Sequence, residues 1–276
     1  MTVGTKKKIL SHQSERLEPG LYTSVRQIAQ HVERYVFASH YVRDRAVLDI
    51  GCGCCYGTAY LGTKARGPVL GGDISLRALR SGLPYYGRLS NPLNLDSKTL
   101  PFKDGTFEAV VSFEMIEHIT DYDSFLDEVR RVSTTNAIFV CSTPNRYVVS
   151  PASEAPLNPF HLHEFSFTEF YSALSDRFLV RAVYGYDALP RNPIVRGLRA
   201  IEGRLLNLAI DHVHEDALLS LNALASRVPV FYALKLIRPA DILDFEQLAR
   251  EEADPPYVLT KDSPIPRYFI ALCERK

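Results

Sequence analysis

The stretch Ala46-Val-Leu-Asp-Ile-Gly-Cys-Gly-Cys-Cys-Tyr-Gly-Thr58 decides the fold of this chain. A short apolar run reaches Asp49, a glycine-rich turn follows, and a helix can begin directly after it. This order predicts a buried parallel strand that leads into a helix through a turn where backbone approaches a ligand. A second apolar run, Val69-Leu-Gly-Gly-Asp73, ends in an acid 24 residues after Asp49. Because an acid about 20 residues past such a turn can hydrogen-bond a ribose hydroxyl, the two stretches predict a nucleoside-cofactor site.

The composition is that of an ordinary globular protein. The 276 residues are 46% hydrophobic and 23% charged with zero net charge, so a broad nucleic-acid-binding surface is not expected. The first 20 residues are polar, and no stretch is long and apolar enough to span a bilayer. We therefore expect no signal peptide, no membrane span and a cytoplasmic location. The five cysteines fit a reducing compartment better than a disulfide scaffold.

Strands alternate with helices along most of the chain. Apolar runs predict strands at 46–50, 69–73, 107–113, 137–141, 178–183 and 268–273. The alternation predicts a doubly wound α/β sheet of about seven mostly parallel strands, with the last one antiparallel. We expect residues 1–40 to form an N-terminal arm and helix, and 41–189 with 261–276 to form the cofactor-binding core. Residues 190–260 read as a helical insertion that serves as a lid or a dimerisation element.

Helical spacing and capping residues place the helices. Apolar residues recur at helical spacing over 24–38, and a further helix is expected over 57–65. Ser75 can cap a helix that carries Leu76, Leu79 and Leu83 inward and ends at Pro84. Asp121 or Asp123 is expected to cap a helix whose apolar face is formed by Phe125, Leu126, Val129 and Val132. The Ser166-Phe-Thr-Glu169 capping box predicts the start of a further helix, which continues through Leu174.

Four motifs agree in order and spacing. They are Val47-Leu-Asp-Ile-Gly-Cys-Gly53, Gly72-Asp-Ile-Ser75, Asp96 followed by Leu100-Pro-Phe-Lys-Asp-Gly-Thr-Phe107, and Ala109-Val-Val-Ser-Phe-Glu-Met-Ile-Glu-His118. Together they resemble the class I S-adenosylmethionine-dependent methyltransferases, whose Rossmann-like fold agrees with the sheet predicted above.

A narrower resemblance covers residues 1–185. Its motifs are Glu15-Arg-Leu17, His31-Val-Glu-Arg-Tyr-Val-Phe-Ala38, Ser142-Thr-Pro-Asn145 and Asn158-Pro-Phe-His-Leu-His-Glu-Phe165. They resemble the type-11 and type-23-like methyltransferases associated with glycan and natural-product biosynthesis.

The resemblance implies S-adenosylmethionine as methyl donor, S-adenosylhomocysteine as product, and no metal. Asp49 is then expected near the cofactor amino group, Asp73 at the ribose hydroxyls and Asp96 at the adenine amine. An aspartate at such places also serves as a helix cap or a turn residue. The residues implied to bind the cofactor are Asp49, Gly51, Cys52, Gly53, Asp73, Ile74, Asp96, Ser97, Phe113 and Glu114.

Cys55 departs from the family pattern, which usually has a third glycine at this position. If the backbone needs a positive φ there, a strain of about 1 kcal/mol or more is expected. Cys52 and Cys55 also have Cys-x-x-Cys spacing, but no second pair accompanies them. A redox or zinc role is therefore secondary to their place in the cofactor turn.

A hydroxyl acceptor benefits from a general base, for which histidine is suited near neutral pH. His161 and His163 lie on the loop after the fifth predicted strand, beside Glu164, and are the main candidates for the base or for an acceptor contact. His118 is a weaker candidate. The alternative is a loop histidine packed against the sheet edge. Asp211-His-Val-His-Glu-Asp216 has metal-ligand residue types, but a charged stretch between two helices is usually solvated surface.

The leading hypothesis is methyl transfer by in-line displacement to a small acceptor, most simply a hydroxyl of a sugar, glycan precursor or natural product. An amine or carbon acceptor such as a quinone-like ring is the second hypothesis within this class. A non-catalytic protein that binds the cofactor or a partner is the alternative of another class. A nicotinamide-dependent oxidoreductase is disfavoured because its glycine pattern needs a glycine where the chain has Tyr56. The apolar helices of 194–226 can form a homodimer face as easily as a lid.

Overall fold

The computed structural model describes residues 25–151, 153–188, 256–260 and 263–276. The strands are β1 (Val47–Ile50), β2 (Val69–Asp73), β3 (Pro92–Asn94), β4 (Phe107–Phe113), β5 (Ser133–Pro144), β6 (Phe178–Ala188), β7 (Tyr257–Val258) and β8 (Pro266–Arg275). The helices are α1 (Val25–Val42), α2 (Tyr56–Lys64), α3 (Leu76–Ser90), α4 (Tyr122–Val132), α5 (Arg146–Val149) and α6 (Phe167–Ser175), and a 3₁₀ turn spans Ile116–His118.

The strands form one mixed sheet in the order β3-β2-β1-β4-β5-β8-β6-β7. β1 pairs in parallel with β2 on one side and with β4 on the other, so the chain order reverses at β1. β8 is antiparallel to both β5 and β6, as predicted for the last strand. In open α/β sheets, ligands bind at the carboxyl ends of the strands beside such a reversal. The topology therefore directs attention to the turn after β1 and to Asp73 at the end of β2.

Apolar side chains cover both faces of the sheet. Val47 belongs to the cluster that includes residues of α1, α2 and α3, and Leu48 belongs to the cluster that includes residues of α4 and α6. All four residues of β1 are buried. Burial on both faces explains why this strand reads as a continuous apolar run rather than as an alternating one.

Several predicted elements are confirmed with little change. β2 and β4 have the predicted bounds. Asp121 is the residue that caps α4, since its Oδ1 accepts a hydrogen bond from the Ser124 amide at 3.0 Å. The capping box of α6 is present in both directions, between Ser166 and Glu169, at 3.3 and 2.8 Å.

The prediction that α3 ends at Pro84 is wrong, because the helix continues to Ser90. The prediction that Leu76 and Leu83 turn inward is also wrong, since their side chains are 45% and 52% exposed. The face that turns inward instead includes Gly82, where an added Cβ would lie 1.7 Å from the carbonyl oxygen of Cys54. The helix thus presents a small residue to the turn after β1. Its orientation about its own axis follows from this close backbone contact rather than from the burial of every leucine.

Other elements are longer than predicted or were not predicted. β5, β6 and β8 extend beyond their apolar runs because β8 lies between the other two and forms ladders on both sides. The short elements β3, α5 and β7 were not predicted, and with β7 the described sheet has eight strands. The arm of 1–24 and nearly all of the 190–260 insertion lie outside the described residues, as does the Asp211–Asp216 stretch. Among the helices that the structure describes, none combines the length and the apolar character needed to cross a bilayer.

Candidate functional site

A cavity of about 840 Å³ lies at the carboxyl ends of β1, β2 and β4. This volume is within the roughly 300–1,000 Å³ typical of small-molecule sites. All but two of the residues predicted for the site line the cavity, the exceptions being Asp49 and His163. The lining residues from that set are Gly51, Cys52, Gly53, Asp73, Ile74, Asp96, Ser97, Phe113, Glu114, His118 and His161.

The two glycines of the turn after β1 have different roles. Gly51 has φ +79°, and a Cβ there would lie 2.5 Å from Cγ of Met115. Gly53 has φ +57°, but a Cβ there would meet no atom within 4 Å. Gly51 is therefore required by packing within the protein, whereas Gly53 keeps its backbone accessible from open space at the cavity. The open space beside Gly53 fits a ligand that approaches the turn closely.

Backbone amides orient the carboxylate of Asp73. Its Oδ2 accepts a hydrogen bond from the Gly53 amide at 2.9 Å, and its Oδ1 accepts one from the Ser75 amide at 2.7 Å. The residue is 7% exposed and lines the cavity. These bonds join the end of β2 to the turn after β1, so the acid predicted to meet a ribose stands beside the glycine turn.

Asp49 contacts helices rather than the cavity. It is fully buried, and its Oδ2 accepts hydrogen bonds from the Thr58 hydroxyl at 2.5 Å and from the Tyr35 hydroxyl at 3.2 Å. Burial raises the pKa of Asp49 to about 7. The carboxylate therefore ties β1 to α1 and α2, and its predicted place near the cofactor amino group stays a prediction.

Cys55 adopts the left-handed conformation that the family pattern reserves for glycine, with φ 68° and ψ 13°. Its Sγ lies 3.5 Å from Sγ of Cys52, and both thiols are buried and free of disulfides. The hydrogen bond between the Cys52 thiol and Cys55, together with burial, raises the pKa of Cys52 well above its ordinary value. Since the thiolate is the reactive form of cysteine, this disfavours a nucleophilic role for Cys52.

Arg34 brings a buried positive charge to the lining of the cavity. It is 2% exposed, its Nη2 lies 3.4 Å from Oε1 of Glu114, and its Nη1 donates to the Gln30 carbonyl at 3.1 Å. Its guanidinium carbon lies 4.5 Å from the ring centre of Tyr268, a cation–π arrangement. Sequence reasoning missed Arg34, although it stands within the His31–Ala38 motif, because an arginine on an amphipathic helix usually faces solvent.

His31, on the same helix, is held neutral. Burial, followed by the charge of Arg34, lowers the pKa of His31 to about 3. Its Nδ1 lies 2.5 Å from the hydroxyl of Tyr56, and both residues line the cavity. The sequence did not indicate His31 as a site residue, whereas Tyr56 is one of several tyrosines whose rings could face a cationic cofactor.

Two glutamates follow β4 and line the cavity. Glu114 has φ 50° and accepts a hydrogen bond from the Ser142 hydroxyl at 2.7 Å. Glu117 is 1% exposed, and its Oε2 accepts from the Thr143 hydroxyl at 3.2 Å. Its Oε1 has no hydrogen-bond partner among the described residues. Burial, followed by the charge of Glu114, raises the pKa of Glu117 well above its ordinary value.

Two of the three candidate histidines, His118 and His161, line the cavity with their ring centroids 5.0 Å apart. Nδ1 of His118 lies 3.0 Å from the Phe160 carbonyl oxygen. Nδ1 of His161 lies 2.7 Å from Oε1 of Glu164, and Nε2 of His161 lies 2.9 Å from the Asn158 amide nitrogen. Because carbonyl and carboxylate oxygens only accept, each Nδ1 donates, and in a neutral ring the lone pair is then on Nε2.

His163 stands apart from the cavity. Its ring packs against Phe165 at 4.3 Å and Tyr122 at 5.5 Å between centroids, and its amide donates to the Glu117 carbonyl at 3.1 Å. The arrangement is that of a packed loop histidine, the alternative that the sequence left open. Neighbouring histidines on one loop thus face different surroundings, and only His161 lines the cavity.

Residues 48–141 match the profile of a family described as a methyltransferase domain. A probable S-adenosylmethionine-dependent methyltransferase of Mycolicibacterium smegmatis is 34% identical over 58% of this chain and 62% of its own length. Another, of Mycobacterium tuberculosis, is 33% identical over 52% of this chain and 56% of its own length. The chain thus spans less than two thirds of these curated relatives.

The fold has solved counterparts. A Thermotoga maritima structure described as a methyltransferase, possibly for histamine, aligns with a TM-score of 0.55 over 91% of both chains at 14% identity, which establishes the shared fold alone. The family match covers the turn after β1, Asp73 and the strand that precedes Glu114. Through this region the chain is similar to S-adenosylmethionine-dependent methyltransferases, and it shares their Rossmann-like fold.

Proposed function

We propose that the protein transfers the methyl group of S-adenosylmethionine to a hydroxyl of a small acceptor, namely a sugar, a glycan precursor or a natural product. The observation that carries the proposal is that one cavity is shared by two groups of residues. The cavity joins the backbone turn at Gly53 and the acid Asp73 to a polar end that contains Glu117, His118 and His161. One end suits a nucleoside cofactor and the other suits an acceptor that must be oriented and deprotonated.

The residues at the first end fit the cofactor. Asp73 is held by two backbone amides, and under this proposal its carboxylate would accept hydrogen bonds from ribose hydroxyls. Ile74 is 68% exposed and lines the cavity, as expected of a side chain that an adenine ring would cover. Asp96 is fixed by its hydrogen bond from the Lys98 amide at 2.9 Å, and with Ser97 it would face the adenine amine.

The cofactor, when bound, supplies a methyl group already activated on a sulfonium. The protein therefore has to align the acceptor, exclude water and take up a proton. Tyr56, Phe113 and Tyr268 also line the cavity, and aromatic faces attract a cation. In the metal-free protein, His161 is the proton acceptor that we favour, since Glu164 orients its ring and leaves the lone pair on Nε2. His118 remains the weaker candidate.

The test compares His161→Ala with His163→Ala in methyl transfer to a panel of sugar nucleotides, glycosides and phenols. We expect His161→Ala to lower turnover by about 100-fold, the scale of general-base catalysis, while cofactor affinity is retained. His163→Ala should keep its turnover if the variant remains folded by thermal unfolding. Equal turnover in wild type and His161→Ala would contradict the role of His161 as general base. Cofactor binding without transfer to any acceptor would favour the non-catalytic binding protein.

A further inference from the structure

Glu117, His118 and His161 form a cluster of metal-ligating groups. One carboxylate oxygen and one nitrogen of each imidazole lie within 4.8 Å of one another. All three residues line the cavity, so the cluster is reached from the space that an acceptor would occupy. Bonds to Zn²⁺ of about 2.0–2.2 Å place ligand atoms roughly 3.5 Å apart, so side-chain movements of about 1 Å would close the cluster on an ion.

Hydrogen bonds already orient both imidazoles as metal ligands require. Histidines that bind a metal through one nitrogen usually donate the other N–H to a carboxylate or a backbone carbonyl. His161 donates from Nδ1 to the Glu164 carboxylate at 2.7 Å, and His118 donates from Nδ1 to the Phe160 carbonyl at 3.0 Å. Nε2 is therefore the ligand nitrogen in both rings. At His161, an ion would replace the contact with the Asn158 amide.

Buried carboxylate oxygens beside the cluster lack partners. Oε1 of Glu117 and Oε2 of Glu164 have no hydrogen-bond partner within the part of the chain that the structure describes. The two residues are 1% and 4% exposed. Arg34 places its charge against Glu114, at 3.4 Å. Since buried polar atoms are normally satisfied, the free oxygen of Glu117 indicates a missing partner at the cluster, and the carboxylate of Glu164 adds negative charge beside it.

We propose that Glu117, His118 and His161 bind a divalent transition-metal cation of the Zn²⁺ type. Two imidazoles and one carboxylate are a donor set of catalytic zinc sites, in which a fourth position stays open. Mg²⁺ and Ca²⁺ prefer oxygen ligands alone and fit this set less well. The open position faces the cavity and takes an oxygen of the acceptor, a second step that rests on the proposed function. With the ion bound, His161 is a ligand and not a base.

The test uses the full chain without an affinity tag, freed of metal by a chelator and dialysed. Titration with Co²⁺, a coloured probe for zinc sites, should produce visible d–d absorption that saturates. Glu117→Gln and His161→Ala should each remove one saturating equivalent of Co²⁺, since a ligand is lost. Any Co²⁺ bound by the Asp211–Asp216 stretch would contribute equally to wild type and variant, so it does not affect the difference between them.

Two further variants sharpen the result. Glu164→Gln should weaken Co²⁺ binding by roughly 10- to 100-fold without abolishing it, because Glu164 orients His161 and is not itself a ligand. His40→Ala should bind Co²⁺ as wild type does, since His40 is exposed on α1 and outside the cavity. Zn²⁺ should raise the unfolding temperature of wild type and of His40→Ala but not of Glu117→Gln.

Co²⁺ binding that is unchanged in both Glu117→Gln and His161→Ala, or a wild type that binds no Co²⁺, would overturn the metal site. Thermal unfolding of each variant without metal shows whether it folds. Calorimetric binding of S-adenosylmethionine in excess chelator tests the cofactor site separately. The proposed function can therefore stand while the metal site fails, and the reverse holds as well.

Discussion

The two ends of the cavity are built from different parts of the chain. The end that we propose to bind the cofactor, called the cofactor end, is made of backbone, namely the turn at Gly51 and Gly53 with the carboxylate of Asp73 bonded to it. The end that we propose to bind the acceptor, called the acceptor end, is made of buried charged side chains, among them Arg34 and Glu117, which come from distant elements. Backbone motifs are local and can be identified in a sequence. Clusters of side chains exist only after the fold brings them together.

Arg34→Met tests the acceptor end and should have the largest effect. The variant leaves the partly buried Glu114 without its ion pair, and we expect the free energy of unfolding to fall by about 3 kcal/mol. Urea unfolding measures it. The double variant Arg34→Met/Glu114→Gln should recover part of the loss because no unpaired charge remains. A loss below about 1 kcal/mol in the single variant would show that the pair is not structural.

The glycines of the turn offer a matched pair at the cofactor end. Gly51→Ala should lower the free energy of unfolding by about 2 kcal/mol, since its Cβ would overlap the Met115 side chain at a positive φ. Gly53→Ala should cost only about 1 kcal/mol of backbone strain, because open space surrounds its Cβ. Gly53→Ala should nevertheless weaken cofactor binding, as its methyl group enters the space beside the turn. The opposite ranking in urea unfolding would contradict the division between packing and ligand approach.

His31, which lines the cavity, gives the folded protein a pH-dependent stability. Its pKa is about 3 in the folded protein against 6.5 in the unfolded chain, so folding favours the neutral ring. The contribution is complete above pH 6.5 and is lost as the pH falls toward 3. We expect a loss of about 1 kcal/mol between pH 7 and pH 5, a discounted figure because His31 is partly accessible from the cavity. His31→Asn should remove this part of the slope in urea unfolding, and an unchanged slope would contradict the assignment.

Much of the fold and of the cofactor end could be predicted from the sequence. β1, its turn and β2 lie within 27 residues, 47–73, and their apolar runs, glycines and terminal acids are all local signals. Because the family pattern has glycine at the position of Cys55, a positive φ could be considered from the sequence, and the structure has φ 68° there.

The remainder depended on packing that no local pattern shows. Asp49 is bonded to Tyr35 and Thr58, and nothing in the motif indicates that these hydroxyls take up its carboxylate. His161 and His163 are two residues apart, yet Glu164 holds one at the cavity and Phe165 packs against the other.

The claim that the turn after β1 and Asp73 form a cofactor site is tested most directly by calorimetry. The full chain is titrated with S-adenosylmethionine and, separately, with S-adenosylhomocysteine, beside the Asp73→Ala variant. We predict micromolar binding to wild type and a loss of about 1–3 kcal/mol, roughly 5- to 150-fold in affinity, in Asp73→Ala, because ribose hydroxyls lose their acceptor. Absence of binding to wild type, or equal affinity in the folded variant, would contradict the cofactor site.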